Sequence, residues 1–152
     1  MRRNIFIASS AELRTERLEL VDLLLDLNND TKNIGIQFKP VVWEFMDSSM
    51  QEGRKEDEYL VRLKECEICL VFFWKTLGEY TVEELDVAGK EMHAGRLPKK
   101  VLVLFKEPSH GISPELLAFK DSYSKKYTDI PSRIFTDMKS LKDIISRFIL
   151  AS

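Results

Sequence analysis

The segment Ile68 to Trp74 (ICLVFFW) constrains the fold more than any other part of the chain. It is an unbroken apolar run, too short to cross a bilayer and without a helical period. Such a run suits a strand at the centre of a parallel sheet, covered on both faces. A strand of that kind needs partner strands on both edges and helices on both sides. Phe72 and Phe73 then point to opposite faces and belong to the core.

The remaining segments supply those partners. Asn4 to Ala8 (NIFIA) reads as a first strand. Ser9 with Glu12 has the spacing of a capping box and opens a helix whose apolar face carries Leu13, Leu18, Leu20, Val21, Leu24 and Leu25. That helix is expected to end near Asn28-Asn29-Asp30. Ile36 to Trp43 reads as a second strand, placed at an edge by Pro40. Glu44 to Lys55 is polar, contains Gly53 and reads as a loop. Tyr59, Leu60, Leu63 and Cys66 repeat at helical spacing before the central run.

Beyond a turn at Gly78, Thr81 opens a helix with Leu85, Ala88 and Met92 on one face and Ala94-Gly95 as its cap. Val101 to Phe105 (VLVLF) is a fourth strand, and Ser113-Pro114 a helix start with serine as cap. Lys126 to Ile130 is read as a short fifth strand, and Leu141, Ile144, Ile145 and Phe148 as a closing amphipathic helix. Strand–helix alternation implies an α/β fold, a flavodoxin-like three-layer sandwich around a mainly parallel five-stranded sheet. Ligands of such sheets bind beyond the strand carboxyl ends. The loops Ala8–Ser10, Trp43–Lys55 and Trp74–Thr81 should therefore surround one mouth.

Bulk properties exclude several classes. A chain of 152 residues suits one domain, residues 1–152, and its 44% hydrophobic and 32% charged residues exclude both disorder and a membrane interior. The apolar stretch after Met1-Arg2-Arg3 is too short for a secretory signal, so a cytoplasmic location is expected. The net charge is −2 without a basic stripe, which speaks against nucleic acid as partner; Lys99-Lys100 and Lys125-Lys126 read as loop ends. Cys66 and Cys69 form a C-x-x-C, but neither opens a helix and no second pair exists to complete a zinc site. They are read as small buried hydrophobes, and no metal is expected. His93 and His110 read as bystanders. The ending Ile149-Leu150-Ala151-Ser152 has no polar tail, which suggests a domain cut from a longer protein.

The mouth itself is selective. Ala8-Ser9-Ser10-Ala11-Glu12 has no glycine, so neither a dinucleotide-binding G-x-G-x-x-G nor a P-loop is present. The central strand ends Phe72-Phe73-Trp74-Lys75 and offers no acidic phospho-acceptor. A helix start after Ser9 and Ser10 could hold an anion through its N–H groups, although Ser9 is equally explained as a cap. The stretch Leu70 to Ala88 (LVFFWKTLGEYTVEELDVA) resembles the Toll/interleukin-1 receptor (TIR) family, in which a strand, an aromatic-bearing loop and a helix opening Glu-Leu-x-x-Ala follow one another. Glu84-Leu85-Asp86-Val87-Ala88 matches that opening, and Ile5 to Arg17 (I-F-I-A-S-S-x-x-L-x-x-E-R) resembles divergent bacterial TIR-like domains.

The resemblance implies an NAD+ glycohydrolase that cleaves the nicotinamide–ribose bond, with NAD+ as substrate and no cofactor. It implies Glu84 as catalytic carboxylate, with Glu83 and Glu79 as rivals, and Ser9, Ser10, Trp43, Trp74 and Tyr80 as substrate-binding residues. It further implies homo-oligomers through TIR–TIR contacts, a fused or associated sensor domain and an anti-phage effector role. Two other readings stay open. Thr81-x-x-Glu84 is itself a capping box, so Glu84 could simply serve its own helix in a non-catalytic interaction module. A nucleoside 2-deoxyribosyltransferase-like enzyme shares the layout and a catalytic Glu. Trp74 and Trp43 are each open between core and site.

Overall fold

The computed structural model describes residues 1–32, 35–42, 55–107 and 111–150. Within them, five strands form one parallel sheet in the order β2-β1-β3-β4-β5, comprising β1 (Arg2–Ser9), β2 (Gln37–Val41), β3 (Ile68–Phe73), β4 (Lys100–Lys106) and β5 (Ser132–Phe135). The helices between and after them are α1 (Arg14–Thr31), α2 (Lys55–Leu63), α3 (Glu79–His93), α4 (Pro114–Lys126) and α5 (Met138–Leu150). This is an α/β flavodoxin-like three-layer fold, and its strand order places a topological switch point between β1 and β3.

Period-two alternation along strands covered on both sides creates two cores. Ile5, Ile7, Leu70, Phe72, Leu102 and Leu104 face Leu20 and Leu24 of α1 and Leu141 and Ile145 of α5. Phe6, Ala8, Cys69, Val71, Phe73, Val103 and Phe105 face Leu63 of α2, Leu85 and Ala88 of α3 and Leu116 and Tyr123 of α4. Every residue of β3 is buried, as expected for the central strand, and β2 with Pro40 is an edge. Ser113 caps α4 as its sequence indicates: its Oγ accepts from the Leu116 N–H at 3.1 Å, with Pro114 as the first helical residue. Gly95 takes φ +76° after α3, where a side chain would be strained.

Some expectations need correction. The fifth strand lies at Ser132–Phe135, not Lys126–Ile130, because α4 continues to Lys126. Phe119, Tyr123 and Tyr127 recur every fourth residue with ring centroids 6.0 Å and 5.0 Å apart, and that ladder holds the segment in helical register. Leu25, expected on the buried face of α1, is half exposed. The helix ends at Thr31, beside the Asn28-Asn29-Asp30 cluster as expected, but Asn28 has a further role. It lies within α1 and pairs with β2, its Oδ1 accepting from the Phe38 N–H at 2.6 Å and its Nδ2 donating to the Phe38 carbonyl at 2.9 Å. Among the described residues, no helix is long and apolar enough to cross a membrane.

Candidate functional site

At the carboxyl ends of β1 and β3 lies a cavity of about 200 Å³, lined by Ile7, Ser9, Ser10, Arg17, Tyr59, Gly78, Glu79, Tyr80, Thr81 and Glu84. It sits at the switch point, where β1 pairs with β2 on one side and β3 on the other and the loops leaving β1 and β3 part.

The β1 wall is built differently from the expected capping box. Ser9 is the last residue of β1, a 3₁₀ turn spans Ala11–Leu13, and Leu13 precedes α1 with no side-chain cap bond. The turn carries Ser9 too far from the first N–H groups of α1 to cap them. Its Oγ instead accepts from Arg17 Nη1 at 2.5 Å, and the same nitrogen donates to the Ser10 carbonyl at 2.7 Å. Glu12 reaches across to the β3–α3 loop, where its Oε1 accepts from the N–H groups of Lys75 at 2.9 Å and Thr76 at 3.1 Å. Ser10 Oγ is buried beside the cavity with no hydrogen-bond partner.

Arg17 is only 5% exposed and lies on the buried stripe of α1, one turn from Leu13 and from Val21. A guanidinium costs several kcal/mol to bury without partners, so its bonds to Ser9 and Ser10 make this placement tolerable. Tyr59 of α2 closes another side. Its hydroxyl donates to the Ile7 carbonyl at 2.8 Å, and its ring lies against Phe6 with centroids 4.3 Å apart.

The α3 wall supplies the carboxylate. Glu84 is 3% exposed and shares its helix face with Thr81, Leu85 and Ala88, a 3–4 spacing that points inward. The helix opens at Glu79 with Gly78 as its cap, earlier than Thr81. Thr81 is therefore inside the helix and buried, and Glu84 lies in the second turn. Thr81 is thus not the N-cap that a capping box requires. The helix dipole, which fades within the first turn, contributes less to holding a charge on Glu84 than a first-turn placement implies. Gly78 is required by proximity, not by dihedral: its φ of −65° suits any residue, but a Cβ would stand 2.8 Å from Thr81 Oγ1 and 3.4 Å from Ser10 Cβ.

The rival carboxylates separate by position. Glu83 is exposed on the outer face of α3, and Glu79 is an exposed residue at the rim. Tyr80 also lies at the rim, 59% exposed. Trp74 does not line the cavity. It follows Phe72 onto the opposite face of the sheet and packs on the core beneath α1 and α5. Lys106 Nζ and Lys75 Nζ lie 4.1 Å and 4.4 Å from its ring centroid, so its π-face is occupied by the protein's own cations. Trp43 falls outside the described residues. The cavity thus gathers Ser9, Ser10, Tyr80 and Glu84, and adds Arg17, Tyr59 and Gly78, which sequence reading did not single out. For Arg17 a signal existed: a charged residue in the apolar stripe of a helix.

Cys66 and Cys69 are free and buried. Burial pushes the Cys66 thiol up to about 12; Cys69 is held well above its ordinary range, first by burial and then by the Glu84 carboxylate. Neither has the lowered pKa of a redox or nucleophilic thiol. Among the described residues, no cluster of His, Cys, Asp and Glu is arranged to hold a metal ion.

The cavity combines a buried carboxylate, a buried guanidinium and several hydroxyls inside low-dielectric walls. That set suits a ligand rich in hydroxyl groups with a centre that is, or becomes, positively charged. Compared with known proteins, the chain matches no family model and no curated protein.

Proposed function

We propose that this chain is a divergent TIR-like domain that hydrolyses the nicotinamide–ribose bond of NAD+, with Glu84 as the catalytic carboxylate. The observation that carries the reading is Glu84 itself, an acidic residue on the buried face of α3 that lines the switch-point cavity. In the reaction the C–N bond breaks with its electron pair going to the pyridinium nitrogen. Nicotinamide leaves neutral and no general acid is needed. The positive charge that grows on the ribose carbon faces the carboxylate, by analogy with glycosidases. Water then adds to that carbon and loses a proton, giving ADP-ribose; attack by an adenine nitrogen instead gives a cyclic product.

The cavity volume of about 200 Å³ is below the ~300–1,000 Å³ of sites that enclose a whole drug-sized ligand. In this reading the cavity receives the nicotinamide riboside end of the dinucleotide, and the remainder lies over the rim at Tyr80. Arg17 and the hydroxyls of Ser9 and Ser10 hold the ribose and its adjoining phosphate, where a buried guanidinium is the natural partner. The family resemblance extends the reading to activation by self-assembly and to a defence effector in which a linked sensor clusters the domains.

Concentrated or artificially clustered protein incubated with NAD+ tests this reading. Nicotinamide is released, and Glu84→Gln lowers the rate by at least ~10²-fold, the scale of losing one group that stabilises transition-state charge. Release that persists in the variant refutes the role of Glu84. No release from clustered protein favours the interaction module, and base exchange on a deoxynucleoside with NAD+ untouched favours the deoxyribosyltransferase-like reading.

A further inference from the structure

The segment from the 3₁₀ turn to the first turn of α1 is tied to the exits of adjacent strands. Arg17 donates to Ser9 and Ser10 at the end of β1, and Glu12 accepts from Lys75 and Thr76 just after β3. Glu16 Oε1 lies 3.6 Å from Lys106 Nζ at the end of β4. The neighbouring order β1-β3-β4 makes these attachments a bracket laid across the carboxyl edge of the sheet.

Glu12 reaches the loop that leads into the α3 wall of the cavity. Pairing of β3 with β4 ends at Phe73, and Gly78 opens α3, so Trp74–Leu77 has to carry the chain between them. The Lys75 peptide is held from two directions: its N–H by Glu12, and its carbonyl by the Ser113 N–H at 2.8 Å. Glu12 is 63 residues from Lys75, so its contact is tertiary and not a local cap. One carboxylate oxygen accepting two consecutive backbone N–H groups makes charge-assisted bonds, roughly twice as strong as neutral ones. Ser9 and Ser10 lie on the Glu12 side of the cavity and Gly78, Tyr80, Thr81 and Glu84 on the loop side, so the contact joins the facing walls.

We infer that Glu12 is a positioning residue, a latch that fixes the β3–α3 loop to the β1 turn and thereby holds Glu84 opposite Ser9 and Ser10. The latch needs no assumption about the ligand; only the activity arm of its test rests on the glycohydrolase reading. Amide hydrogen exchange on the full chain reads the latch directly. Glu12→Ala is expected to speed exchange at Lys75 and Thr76 by about tenfold, leaving β3 and β4 amides unchanged. Glu12→Gln, which keeps a neutral acceptor, gives an intermediate increase and carries the test should the alanine variant fail to fold. Unchanged exchange at both amides in either folded variant overturns the latch. In the activity arm, Glu12→Ala lowers kcat for nicotinamide release more than it raises KM, and Glu12→Gln restores most of the loss. Faster exchange with an unaltered kcat overturns the positioning role. Faster exchange in the variants, together with a parent protein that releases no nicotinamide when clustered, sustains the latch and counts against the glycohydrolase.

Discussion

Gly78→Ala tests the geometry of the cavity wall without reference to any ligand. The added Cβ would meet Thr81 Oγ1 at 2.8 Å, inside contact distance, while Ser10 Cβ at 3.4 Å is tolerable. Thr81 is 2% exposed, so its hydroxyl has little room to retreat. Overpacking of this kind costs roughly 1–3 kcal/mol. Against it stands a gain of about 0.4–1 kcal/mol from reduced unfolded-state entropy, since the backbone at Gly78 is open to alanine. The net is a loss of about 0–2.6 kcal/mol. A double-mutant cycle removes the entropy and capping contributions, which recur on both sides. Thr81→Ala deletes the clashing oxygen, so the double variant should be more stable than the sum of the single effects by about 1 kcal/mol or more. Urea unfolding monitored by circular dichroism measures it. Additivity within about 0.5 kcal/mol refutes the contact and the tight loop–helix junction built on it.

Other consequences are as direct. Tyr59→Phe removes the donor to the Ile7 carbonyl while keeping the ring on Phe6, and should cost about 1–3 kcal/mol, read as a drop in Tm of about 2–4 °C per kcal/mol. The Cys66 thiol, raised by burial from 9.0 to about 12, stays protonated in the folded chain while the unfolded chain ionises. Its contribution is intact below pH 9 and is lost as pH rises to about 12, at up to about 1.4 kcal/mol per pH unit, so stability falls on the alkaline side and Cys66→Ala flattens that fall. Native Cys66 and Cys69 should both resist a disulfide reagent at pH 8 and react on unfolding. Arg17→Lys, which gives up the planar fork, should raise the KM for NAD+ more than it lowers kcat in the clustered-protein assay.

Much of the layer structure is legible because it depends on periodicity. The uninterrupted run of β3, the edge proline of β2, the Ser113-Pro114 start of α4 and the amphipathic repeat of α5 each carry a local physical signature that tertiary packing does not oppose. The misread features are those in which a local motif is overridden by distant partners. Ser9/Glu12 and Thr81/Glu84 both have capping-box spacing, yet the first pair is spent on Arg17 and the β3–α3 loop, and the second lies within a helix already begun at Glu79. The fifth strand is misplaced because the ladder of Phe119, Tyr123 and Tyr127 keeps α4 helical beyond the point where composition turns strand-like. For the site, Glu84 is picked out by the Glu-Leu-x-x-Ala resemblance, and its place beside Leu85 and Ala88, a charge in an apolar stripe, is a second signal that the sequence reading did not use. Arg17 carries the same signal, a charge among Leu13, Leu20, Val21 and Leu24. Tyr59 gives no such sign, since an aromatic at a buried helical position looks like core whether or not it borders a cavity.

A crystal structure of the Glu84→Gln variant with NAD+ bound shows whether residue 84 faces the bond to be broken. The ribose carbon of the N-glycosidic bond is expected within about 3–3.5 Å of the residue 84 side chain, with Arg17 and Ser9 on the ribose–phosphate side. A dinucleotide seated elsewhere on the sheet edge, or with its nicotinamide ribose turned away from residue 84, contradicts that placement.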